Sequence, residues 1–257
     1  MVAVLGVCGS FGLGCGSRQA EDRAVVSVLA ASSLGPAFAD VIASFEETSG
    51  GRVVAGYGAS SQLRLQIEQG LRADVYAAAD EENMEMLRFT GLLAAEPITF
   101  ATNRLVVATS GRTQPPLTAI PDLARPGLRL ASAEPSVPIG AYALQSLDAM
   151  ARSGVFGPDF RERVQRNVVT REANVRQIVA KVELGEVDAA IVYASDAVAS
   201  PGIIAIEIPA DFNVTTRYTV AILRDAPHAA MAQRFVNHLG GHQAQRALER
   251  WGFQRAR

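Results

Sequence analysis

"VVSVLAASSLGPAFADVIASFEETSGGRVVAGYGASSQLRLQIEQG", residues 25–70, holds one arrangement twice over. An apolar, β-rich run (25–30) leads to paired serines, Ser32 and Ser33. A helical pattern follows, with Phe38, Val41, Ile42 and Phe45 on one face. The second copy has a strand at 52–58, serines at 60 and 61, and a helix that stops at Gly70. Strand, small polar turn and helix in alternation predict a doubly wound α/β architecture built on mostly parallel sheets.

The pattern continues outward. "ADVYAAA" (73–79) reads as a strand, and Asp80 caps a helix whose acidic first turn, "DEENMEML", suits the macrodipole. Strands follow at 103–110 and 127–133, and "PSVPIGAYAL" (135–144) opens a helix running to about Arg152. "REANVRQIVAKVELG" (171–185) reads as a helix stopped by Gly185. "VDAAIVYAS", "GIIAIEI" and "TTRYTVAIL" read as strands, and residues 227–239 and 243–250 as helices. No Gly/Pro linker divides the chain into contiguous halves, so two lobes would be joined by extended strands near Thr99–Arg104 and Asn213–Tyr218. That expectation gives a discontinuous first lobe, 24–102 plus 216–257, and a second lobe at 103–215.

The 257 residues suffice for one large or two small domains. A hydrophobic fraction of 49%, a charged fraction of 19% and a net charge of −2 describe an ordinary globule. They provide no field for nucleic acid or an anionic membrane. Lys181 is the only lysine and sits mid-helix, which discounts Schiff-base and P-loop chemistry. Both cysteines, Cys8 and Cys15, fall in the uncharged stretch "MVAVLGVCGSFGLGCGS". Residues 1–20 are therefore read as a secretion signal or lipoprotein leader, without the usual basic start. "GLGC" loosely matches a lipidation site at Cys15, with Gly12 where leucine is usual. A Cys-x6-Cys metal pair is the weaker alternative, since no His, Asp or Glu stands near it. The expected product is exported, soluble and free of disulfides.

Catalytic patterns are scarce. His228, His238 and His242 accompany no G-x-S-x-G serine, and "GYGASS" lacks both that spacing and the third glycine of a dinucleotide fingerprint. His238 and His242 flank Gly240-Gly241 without an H-E-x-x-H pattern, so no metal site is expected. Asp74 and Asp80 bracket a strand and are better explained as a strand end and a helix cap than as an acid–base pair. What remains is the repeated serine turn at the carboxyl end of a strand, where open α/β sheets bind ligands. Unsatisfied N–H groups and a partial positive charge gather at helix starts, and serine hydroxyls beside them make an anion site without Lys or Arg. In "PSVPIGAYAL" the backbone plays the same part: Pro138 fixes the entry and leaves N–H groups free from Ile139 onward.

"LAASSLGPAF", "YGASSQLRLQIEQGLRADVYAAAD", "VPIGAYALQSL" and "AAIVYASDAVAS" resemble the periplasmic molybdate-binding proteins of molybdate ABC transporters. The resemblance spans about Val25 to Phe253, with "QIEQG…ADVYAAAD" and "IVYASDAVAS" as its most specific pieces. It implies a two-lobed periplasmic-binding-protein fold, each lobe a mostly parallel sheet flanked by helices, with molybdate or tungstate enclosed between the lobes. It places two serine ligands on Ser33 and Ser60, backbone donors on Ile139 and Val175, and a tyrosine hydroxyl on Tyr193. At Ile139 a small alanine is commoner in that family. The ligand would be bound as an oxyanion, with no protein–metal ligand, no cofactor and no catalysis. The implied partner is a permease in the inner membrane, and the receptor would be a monomer. The competing readings are a sulfate or phosphate receptor and, from another class, an exported oxyanion-ester hydrolase.

Overall fold

The computed structural model describes residues 25–256, so the leader read at 1–20, with Cys8 and Cys15, lies outside it. The opening segment folds as its pattern predicts. Strand β1 (Val25–Ala31) runs through a short 3-10 turn (Ser32–Leu34) into helix α1 (Gly35–Ser49), and β2 (Arg52–Gly58) feeds α2 (Ser60–Glu68). On α1, Phe38, Val41 and Phe45 are buried and Ile42 is partly so. Phe235 packs edge-on against both phenylalanines, at 6.2 and 5.3 Å. Aromatic pairs in this geometry stabilise by roughly 1 kcal/mol beyond their area burial.

Two mixed sheets carry the helices. In the first, β2, β1 and β3 (Val75–Ala78) are parallel neighbours. β10 (Thr216–Ile222) runs antiparallel to β3 and to β4 (Ile98–Asn103). The two-residue β11 (Gln254–Arg255) closes the edge, giving the order β11-β4-β10-β3-β1-β2. The second sheet has the order β7-β6-β8-β5-β9. Its β6 (Leu130–Ala133) lies parallel to β7 (Val168–Glu172) and β8 (Ala189–Tyr193). β5 (Leu105–Thr109) runs antiparallel to β8 and to β9 (Ile204–Glu207). Parallel pairing is thus confined to strands joined by helical crossovers. Strands that carry the chain out of one sheet and back must run against their neighbours, so neither sheet is mainly parallel.

The helix expected over 171–185 starts later. Residues 168–172 are β-branched at three positions and extend the sheet as β7, and α6 covers only Val175–Leu184. Asn174 decides the boundary, because its side chain accepts the Gln177 N–H at 3.2 Å and leaves the preceding backbone extended. At the other end Gly185 adopts φ 72°, a left-handed cap that a Cβ would penalise. A helix at Phe160–Arg166, which the hydrophobic pattern did not suggest, lies between α4 (Pro138–Arg152) and β7.

The passage between the sheets is short. Arg104 alone separates β4 from β5, and the chain returns through Asn213–Thr215 into β10. Asn213 ties the two passages together. Its Oδ1 accepts from Leu105 N–H at 2.9 Å and its Nδ2 donates to the Leu105 carbonyl at 2.9 Å, imitating one rung of a β-ladder. Among the described residues no helix is long and apolar enough to cross a membrane.

Asp80 accepts from Asn83 N–H at 3.1 Å and Asn83 Nδ2 at 2.7 Å in the first turn of its helix. Asp74 is fully buried and accepts from Ser27 N–H (2.8 Å), Ser27 Oγ (2.7 Å) and His228 N–H (2.6 Å), pinning β1 and the start of α8 (Ala229–Leu239) to β3. Burial raises its pKa, but the hydrogen bonds from Ser27 and His228 outweigh burial and hold it below the usual value. Ionised Asp74 therefore contributes stability above the ordinary carboxylate pKa, and that contribution is lost as pH falls through the lowered one. Asp74→Ala should cost about 3 kcal/mol in urea unfolding at pH 7 by leaving buried donors unpaired. The difference from wild type should shrink as the pH is lowered toward 3.

Candidate functional site

Pro138 opens α4 immediately after the extended residue Val137, and having no N–H it leaves Ile139 as the first donor of the helix. Gly140 N–H already reaches the Val137 carbonyl at 2.9 Å, as does Ala141 N–H at 3.1 Å. Ile139 N–H therefore stays outside the helical ladder. Gly140 permits this geometry: a Cβ there would collide with the Glu134 carbonyl and come within 2.8 Å of the Ala133 carbonyl. The absence of a side chain seats the first turn of α4 on the end of β6.

Three further helix starts face the same point. Helix α6 begins at Val175 behind its Asn174 cap; α2 begins at Ser60; the 3-10 turn holding Ser33 leads into α1. Together with Tyr193, at the end of β8, these starts line one cavity between the sheets. All five residues expected at the site, Ser33, Ser60, Ile139, Val175 and Tyr193, border it, and each is at most 3% exposed. No lysine, arginine or histidine is among its lining residues.

The side chains are polarised as donors. Ser60 Oγ accepts the Ala79 N–H at 3.0 Å from behind, and its own proton is left for the cavity. The Ser60 carbonyl is held separately by the buried Tyr76 hydroxyl at 2.8 Å. Ser33 Oγ lies 2.8 Å from the Tyr218 hydroxyl. Tyr193 is buried, and its hydroxyl has no hydrogen-bond partner among the described residues although it borders the cavity. Burial raises its pKa well above the ordinary value, so it remains a neutral donor. Helix-start N–H groups, two serine hydroxyls and a phenol make a pocket fitted to a small solute rich in acceptor oxygens.

A family model described as bacterial extracellular solute-binding protein matches residues 26–254. The chain belongs to that family. This solute-binding protein is 32% identical over 233 residues to the molybdate-binding protein ModA of Mycobacterium tuberculosis H37Rv, covering 90% of this chain and 84% of the relative. The periplasmic molybdate-binding protein of Azotobacter vinelandii shares its fold with a TM-score of 0.75 at 20% identity, over 90% of this chain and 100% of that one. The sulfate-binding protein SubI from Mycobacterium tuberculosis H37Rv superposes with a TM-score of 0.80, also at 20% identity, over 91% and 87%. Both structural likenesses establish the two-lobed α/β fold and leave the choice of solute to the residues of the cleft.

Several residues in or behind the solute-binding protein's cavity escaped the sequence reading. Ala79 supplies the donor behind Ser60, and its signal was only that of a small residue at a strand end. Asn174 lines the cavity and caps α6; its N-cap signature was present in "EANV" but was absorbed into a longer predicted helix. Nothing local to "TTRYTVAIL" marks Tyr218, which reaches Ser33 across 185 positions.

A buried carboxylate stands just behind the cavity wall. Asp196 is 1% exposed, and its Oδ2 accepts from Tyr193 N–H at 3.3 Å while Oδ1 has no partner among the described residues. Burial pushes its pKa up to about 7, so near neutrality it carries its charge only in part. A pKa raised by folding contributes stability that is complete below the unfolded value near 4 and disappears as pH rises through about 7. Asp196→Asn should therefore match wild type in melting temperature at pH 4.5 and exceed it at pH 8.5. Gly140→Ala should cost about 1–3 kcal/mol by overpacking and, by displacing Ile139 N–H, should weaken anion binding in calorimetry.

Proposed function

We propose that this solute-binding protein is an extracytoplasmic receptor that binds molybdate, and tungstate with it, and delivers the anion to the permease of an ABC transporter. The observation that carries the reading is the cavity itself, whose donors come from both sheets and whose lining contains no cation. A dianion removed from water is costly unless every oxygen is paired. Hydrogen bonds to charged groups contribute about 1.5–3 kcal/mol each, and a set of fixed neutral donors offsets that cost without a counter-charge that would hinder later release.

We assign Ser33 and Ser60 as hydroxyl donors, Ile139 and Val175 as main-chain donors and Tyr193 as the phenolic donor. The bulk of Ile139 shapes the cleft, since its contribution is through the backbone. We take 24–102 plus 216–257 as one lobe and 103–215 as the other, and closure about the Arg104 and Asn213–Thr215 passages as the step that completes the site. The lining supplies hydroxyls and N–H groups and lacks a histidine or carboxylate base, which favours binding over hydrolysis of an oxyanion ester. We place the chain outside the cytoplasm, working as a monomer without a cofactor, with residues 1–20 serving as a secretion signal or, with a lipid on Cys15, as a lipoprotein leader.

Sulfate is the second reading, since a sulfate-binding protein uses the same fold. Calorimetry with molybdate, tungstate, sulfate and phosphate separates the two. Binding of the two larger metalates, with sulfate and phosphate much weaker, is expected; clear sulfate binding with no heat from molybdate would overturn the assignment. Ser60→Ala should weaken molybdate binding about 10- to 100-fold. The apo protein should lose no more than about 1 kcal/mol, the scale of a helix cap. A stability loss with unchanged affinity would reduce Ser60 to a cap.

A further inference from the structure

Tyr218 does not line the cavity, yet it touches ligand-bearing residues of both sheets. It is completely buried on β10, with its ring packed edge-on against Phe253 (5.1 Å), Tyr193 (5.8 Å) and Phe100 (6.4 Å). A ring wedged on three sides cannot swing its hydroxyl, and that hydroxyl lies 2.8 Å from Ser33 Oγ.

The direction of this hydrogen bond in the bound state follows from the ligand. An unprotonated oxyanion offers only acceptors, so Ser33 gives it the single hydroxyl proton. Ser33 Oγ then accepts from the Tyr218 hydroxyl, its neighbour at 2.8 Å.

We propose that Tyr218 is a positioning residue for anion binding: its fixed hydroxyl occupies the acceptor side of Ser33 Oγ and so holds the serine with its proton toward the bound oxyanion. The inference rests on reading the cavity as an oxyanion site. It makes the Ser33 side the counterpart of the Ser60 side, where Ala79 N–H does the same work through the backbone. A cavity that offers protons at both serines repels any oxyanion that itself carries a proton toward them.

Titration of the full chain with sodium molybdate in a calorimeter tests the proposal on four proteins: wild type, Tyr218→Phe, Ser33→Ala and the double variant. Phenylalanine keeps the ring and its packing. Tyr218→Phe should bind about tenfold more weakly, the scale of one hydrogen bond to a charged site. The double variant should bind no more weakly than Ser33→Ala, because without the serine hydroxyl the phenol has nothing to orient. A phenol that merely fills the core would lower the apo melting temperature and leave affinity within about twofold of wild type. That result overturns the proposal, as does a double variant whose loss is the product of the two single losses. If Tyr218→Phe gives no cooperative melt, Tyr218→Met carries the test in the same two backgrounds, since an unbranched thioether side chain refills the space without a donor. A loss of about tenfold that vanishes in the Ser33→Ala background supports the proposal, and a loss that persists there overturns it. Wild type taking up none of molybdate, tungstate or sulfate would overturn the oxyanion reading of the cavity. Wild-type binding with an unaffected Tyr218→Phe overturns only the role of the phenol.

Discussion

The first turn of a helix carries N–H groups that no bond within that helix can satisfy, and the rest of this structure follows from where those groups are aimed. Four such starts, at Ser33, Ser60, Ile139 and Val175, meet around one cavity. Each needs a strand delivering the chain to the cleft and a helix leading away from it. Alternating strands and helices are therefore a requirement of the site as well as a means of burying a core. The small residues at the turns have the same origin, because bulk at Gly140 would lift α4 off the end of β6.

Polarity is set one layer further out. A serine hydroxyl can donate or accept, and a pocket of uncommitted hydroxyls would bind many solutes weakly. Here the acceptor side of Ser60 is occupied by Ala79 N–H, and Ser33 lies against a phenol held by three aromatic rings. Tyr193 completes the set as a phenol that burial keeps protonated. Asp196, behind that tyrosine, is drawn toward its neutral form by the same burial, and this limits the repulsion it would exert on an anion. Desolvation thus acts on both groups in the direction an uncharged donor site requires.

The overall shape does not select the solute. A molybdate-binding protein and a sulfate-binding protein superpose on this chain about equally well. What distinguishes solutes is the size of the cavity and the direction of its protons, both set by a handful of positions. The core serves a different end: Phe38, Phe45 and Phe235 hold α1 and α8 on the first sheet, and the Asn213 amide fastens the two interlobe passages. Those contacts keep the helix starts in register without entering the chemistry.

Much of this was legible in the residues alone. The alternation from Val25 to Gly70 announces the fold class, and the serine turns, Pro138 and the tyrosine of "IVYASD" indicate an anion site on local grounds and through family resemblance. Local readings succeed there because helix starts, caps and turn residues express short-range physics. They fail where neighbours are remote. Arg171 and Glu172 have no strand preference of their own, so pairing with β6 made them the end of a strand. The antiparallel course of β10 is fixed by the return of the chain between lobes, which no local pattern records. Sequence by itself determined which segments end in free donors. Only the tertiary structure decided that the donors face one another and that their acceptor sides are filled from behind. Those contacts join positions as distant as Ser33 and Tyr218, and nothing in either neighbourhood encodes the other.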